Sequence, residues 1–158
     1  MTHEVVGSEL EALLIEARLI ERRAPSGNIQ VQVHERGARY DSVRAFAILL
    51  PDAAASAVSV ILVRDGHYLG LVRIGPRGGG LAGARLLLGR AVCAKPAQPR
   101  AAKSTDRDTA ILRSWLARHG ESASRLDLDR FTKADQAGSA LAAAVKELLA
   151  DPGTAIFR

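Results

Sequence analysis

The sequence predicts an α+β fold: a mainly antiparallel four- to five-stranded sheet with one N-terminal helix and two C-terminal helices. Three observations carry that prediction. A capped amphipathic stretch stands near the start, strand-like segments separated by turn residues fill the middle, and two more capped helical stripes close the chain. At 158 residues the chain has the size of one domain, and its single Cys excludes a disulfide scaffold. The longest apolar runs, such as Ala45–Leu50 and Val60–Val63, fall far short of the roughly 20 residues of a bilayer span. Residues 1–93 read as a helix-plus-sheet core and 94–103 as a Pro/basic linker or arm. Residues 104–158 read as a helical pair packed on the same core.

The N-terminal helix is announced by Ser8-Glu9-Leu10-Glu11, a capping box in which Ser8 takes the third amide and Glu11 reaches back. Leu10, Leu13, Leu14, Ala17 and Ile20 then form one apolar stripe, and Pro25-Ser26-Gly27 ends it. Asn28–Glu35 alternates apolar and polar residues, the pattern of a half-buried strand. The turn Arg36–Arg39 leads into Tyr40–Leu50, which Pro51-Asp52 stops. Ala57–Val63 is apolar on both faces and reads as a central strand. Asp65-Gly66 supplies a positive-φ hairpin turn, and Tyr68–Ile74 returns beside it. Leu81–Val92 fits a helix or a fifth strand equally well.

Ala94–Lys103 holds two Pro and three basic residues without periodicity, as an exposed arm does. Thr105 and Thr132 are the expected caps of the last two helices. Ile111, Leu112, Trp115 and Leu116 form the stripe of the first. Ala134, Gly138 and Ala142 form a small-residue ridge on the second.

Charge is distributed unevenly. Residues 1–75 carry 8 basic and 9 acidic side chains, and residues 76–158 carry 14 and 8, so the net charge moves from −1 to +6. No acidic residue lies between Asp65 and Asp106, a stretch that holds Arg73, Arg77, Arg85, Arg90, Lys95, Arg100 and Lys103. Unneutralised like charges repel one another unless an anionic partner meets them. A second basic locus is the sheet itself. With Val43, Ala45 and Ala47 inward, Tyr40, Ser42, Arg44 and Phe46 point outward beside Gln30, Gln32 and His34. Such an open face would offer stacking and charge to a single strand of nucleic acid.

Sites for chemistry are sparse. His3, His34, His67 and His119 sit in no metal-ligand spacing, and no nucleophile elbow occurs. Cys93 stands in an apolar context and reads as a small buried residue. Met1–Gly7 has neither a basic n-region nor an apolar h-region, so the expected location is cytoplasmic. One local motif remains. Arg77-Gly78-Gly79-Gly80-Leu81-Ala82 resembles the R-x-x-G-x-A segment of the GNAT acetyltransferases over about a dozen residues. That resemblance implies a loop whose amides hold the pyrophosphate of coenzyme A at a helix start. It also implies that Gly80→Val would block the phosphates while leaving the fold intact.

Three functions follow in order. The first is a small basic non-enzymatic protein that binds nucleic acid through backbone electrostatics, with Arg73, Arg77, Arg85, Arg90, Lys95, Arg100, Lys103, Arg44 and Tyr40 as contacts. The second is an adaptor or subunit of a homo-oligomer, whose basic arm meets an acidic protein surface. The third is a GNAT-like enzyme. The first two readings require no cofactor.

Overall fold

Side chains that alternate onto two covered faces of one sheet organise the molecule. The computed structural model describes residues 8–23, 44–52, 54–93, 103–120 and 123–151. Strands β1 (Ala45–Pro51), β2 (Val58–Arg64), β3 (His67–Ile74) and β4 (Ser124–Asp127) form one antiparallel sheet in the order β3-β2-β1-β4. Helices α1 (Glu9–Arg23), α2 (Leu81–Cys93), α3 (Lys103–His119) and α4 (Ala134–Ala150) complete it. The class is therefore α+β, with four helices among the described residues where three were expected. The expected Asn28–Glu35 strand and the start of Tyr40–Leu50 lie outside those residues.

Both faces of the sheet are covered. Ala45, Ala47, Leu49, Val58, Val60 and Leu62 turn one way and pack under α2 and α4. Phe46, Ile48, Ile61 and Val63 turn the other way and pack under α1 and α3. Burial of both faces is why β1 and β2 read as continuous apolar runs. It also corrects the open sheet face: Phe46 is 4% exposed, inside the core below α1 and α3. Tyr40 lies outside the described residues, so no stacking platform is carried by the part that is described.

Local signals hold where the chemistry is local. Ser8 accepts the Glu11 amide at 3.2 Å, as the cap requires. The Glu11 carboxylate turns toward the sheet, where buried Ser59 donates to it at 2.8 Å. Asp65 and Gly66 both take positive φ, 50° and 75°, and make the β2–β3 turn. The pairing then slips: Leu62 faces Gly70 and Val63 faces Tyr68, leaving Leu69 as the extra residue of a bulge. A Cβ on Gly70 would come within 2.7 Å of the Leu87 side chain, so the glycine lets α2 close on β3.

Two helix starts differ from expectation. α3 begins at Lys103, two residues before Thr105, so the last residue of the expected linker is helical. α4 is preceded by Lys133 in extended conformation with no side-chain cap bond, not by a capping Thr132. Nor do the last two helices form a pair: α3 packs on α1 and α4 on α2, with the sheet between. On α4, Gly138 faces α2, where an added Cβ would make only ordinary contact, 3.6–3.9 Å, with Arg85 and Leu88, so the small-residue ridge is not required for the packing.

Candidate functional site: the basic face of α2

A glycine turn launches α2 directly off β3. Gly78 and Gly80 take φ of 78° and 92°, and the turn is closed by the Gly75 amide donating to Gly79 at 3.0 Å and the Gly78 amide donating to Gly75 at 3.0 Å. Gly80 is demanded by the chain itself. A Cβ there would stand 2.1 Å from the Arg73 carbonyl oxygen. The expectation that Gly80→Val leaves the fold intact is therefore corrected: the side chain would collide with β3 whatever the loop binds.

The arginines of the acid-free stretch have different fates. Arg73 donates to Asp52 at 2.7 Å, so its charge is already met. Arg44 is exposed and lies 3.8 Å from Asp65, while its amide and that of Ala45 are held by the Asp129 carboxylate. Arg77, Arg85 and Arg90 are exposed and form no ion pair among the described residues. All three stand on α2 or on the turn before it: Arg77 ahead of the positive N-terminal end, Arg85 in the body and Arg90 in the last turn, on a helix that carries no acidic residue. Lys103 opens α3, whereas Tyr40, Lys95 and Arg100 lie outside the described residues.

Sequence reasoning missed the centre of this face. Leu86 is 72% exposed. Consecutive helical residues diverge by about 100°, so Leu86, Leu87 and Leu88 cannot all face the core. Leu88 is fully buried, Leu87 packs at the margin and Leu86 points out. The same rotation exposes Cys93, seven positions on, which corrects its reading as a buried residue. Small residues surround Leu86: Ala82 and Gly83 one turn before, Gly89 one turn after. The C-terminal end of α2 is tied to the sheet by Arg64, which donates to the carbonyls of Arg90 and Ala91.

Polar contacts on the opposite layer are structural in form. Arg18 of α1 donates to the Tyr68 hydroxyl at 2.9 Å and to Asp108 of α3 at 3.1 Å, and Tyr68 donates its amide to Thr109 at 3.1 Å. Burial pushes the Tyr68 hydroxyl above its ordinary pKa, against the pull of Arg18. Burial also opposes the charge of Arg18, but Tyr68 and Asp108 outweigh it and the guanidinium pKa is raised. The His119 ring lies 5.1 Å from that of Trp115 at a tilt of 31°, and its Nε2 lies 3.6 Å from the Glu9 carboxylate. Among the described residues no group of three His, Cys, Asp or Glu side chains is placed to hold a metal, and no helix is long and apolar enough to cross a membrane.

Comparison with known proteins gives no further guide: no family model, curated protein or solved structure matches this chain.

Proposed function

We propose that this chain is a non-enzymatic interaction protein whose α2 face docks an acidic protein surface. The observation that carries the reading is Leu86, a largely exposed leucine on a helix whose only charged side chains are Arg85 and Arg90. Interfaces combine an apolar anchor with a charged rim, and Arg is enriched in both. A purely electrostatic nucleic-acid contact has no use for the leucine. The resemblance of the glycine turn to a pyrophosphate loop adds little, because Gly80 already has an internal reason to be glycine.

Nucleic acid is the second reading, favoured by the run of Arg77, Arg85 and Arg90 with Lys95, Arg100 and Lys103 beyond. One experiment separates the two. Fluorescence anisotropy compares a labelled glutamate- and leucine-containing peptide with a labelled oligonucleotide, using nuclease-treated protein. The proposal expects the peptide to bind, binding to weaken with salt, and Leu86→Ser to weaken it as strongly as Arg85→Gln/Arg90→Gln. Oligonucleotide binding that Leu86→Ser leaves untouched, with no peptide binding, replaces it by the second reading.

A further inference from the structure

We infer that the element received by this face is an acidic amphipathic α-helix of a partner protein, laid along α2 at close range. This rests on the proposed function and specifies its geometry.

The first ground is the distribution of glycine. Glycine is among the poorest residues in a helix interior, and where packing in this protein demands glycine the reason is visible, as at Gly70, where a Cβ would come within 2.7 Å of Leu87. On the outer face of α2 no such reason exists. A Cβ on Gly89 would meet nothing within 4 Å, and one on Gly83 would make only ordinary contact, 3.8 Å, with Val72. With Ala82 these glycines leave the α2 backbone bare on both sides of Leu86, one turn before and one turn after. Bare backbone permits a second helix to approach with Leu86 inserted between its side chains. An extended acidic tract would gain nothing from that spacing.

Charge supplies the second ground. Arg85 and Arg90 lie on opposite sides of Leu86 around the helix, and Arg77 precedes its first turn. A second copy placed α2 against α2 would bring arginines and no carboxylate into one contact, which disfavours the symmetric self-pairing. A helix with leucines at i, i+3 and i+4 and glutamates flanking them meets both the leucine and the arginines.

The test uses the full-length protein and two labelled peptides of roughly 18 residues, long enough for a stable helix. One carries the glutamate-flanked leucine pattern; the other has the same composition with a central proline. The inference expects the helical peptide to bind at least tenfold more tightly than the interrupted one. It also expects Gly89→Gln to weaken binding at least tenfold while the melting temperature holds or rises, since Gln is the better helix former and its site is open. Equal binding of the two peptides, or a Gly89→Gln protein that binds normally, overturns the inference and leaves the acidic-surface reading standing. If neither peptide binds, both fall together.

Discussion

Arg73 on β3 donates to the Asp52 carboxylate at 2.7 Å, joining the end of the sheet's outer strand to the loop that follows β1. Asp52 also accepts from the hydroxyl and the amide of Ser56. The Ser56 hydroxyl does most to hold this carboxyl below its ordinary pKa, with backbone amides and Arg73 adding to it against desolvation. A depressed carboxylate pKa means that folding favours the charged form. Its stabilisation is therefore complete above the ordinary value of 3.8 and is lost as the pH falls through the folded-state value. Urea titrations at descending pH should show an acid limb that Asp52→Asn flattens. Arg73→Gln should cost at most about 1 kcal/mol at neutral pH, as an ion pair with one exposed partner does.

Tyr68 titrates in the opposite sense. Its hydroxyl pKa lies above 10.0, so the stability it contributes is complete below that value and fades as the pH rises through the folded-state value. The chain has two tyrosines, Tyr40 and Tyr68. Tyrosinate absorbance followed against pH should show a late transition that Tyr68→Phe removes. A Tyr68 that titrates at the ordinary value would mean its site admits water.

Two glycines one residue apart should behave differently. Gly80→Ala forces a positive φ on alanine and puts its Cβ 2.1 Å from the Arg73 carbonyl oxygen, so it should cost at least about 1–3 kcal/mol in urea denaturation. Gly79→Ala meets nothing within 4 Å and should change stability by no more than about 0.5 kcal/mol. Equal effects would mean the turn is not held against β3.

The leucines of α2 make a second contrast. Leu88→Ala removes a fully buried side chain between α4 and the sheet and should cost about 2–5 kcal/mol. Leu86→Ala, two positions earlier, should change stability by less than about 0.5 kcal/mol. Chemical denaturation of both variants checks which leucine faces the core.

What the sequence determined by itself was whatever depends on neighbours in the chain. The Ser8 cap, the Asp65-Gly66 turn, the doubly apolar central strand, and the stripes of α1 and α3 follow from spacings of two to four residues, because capping, turn geometry and helical periodicity act over that range. Only the tertiary structure decided the rest. β4 spans four residues, too few to show a period, and it is a strand because β1, far back in the chain, lends it hydrogen-bond partners. Leu86, Leu87 and Leu88 fit strand or helix alike, and the positive-φ exit at Gly80, pressed against Arg73, turns them into a helix with one leucine outside. Charge was legible as a count but not as a surface. Arg73 is neutralised by a carboxylate 21 positions away, whereas Arg85 and Arg90 stay bare, because distances between charges are set by the packing of sheet and helices and not by separation along the chain.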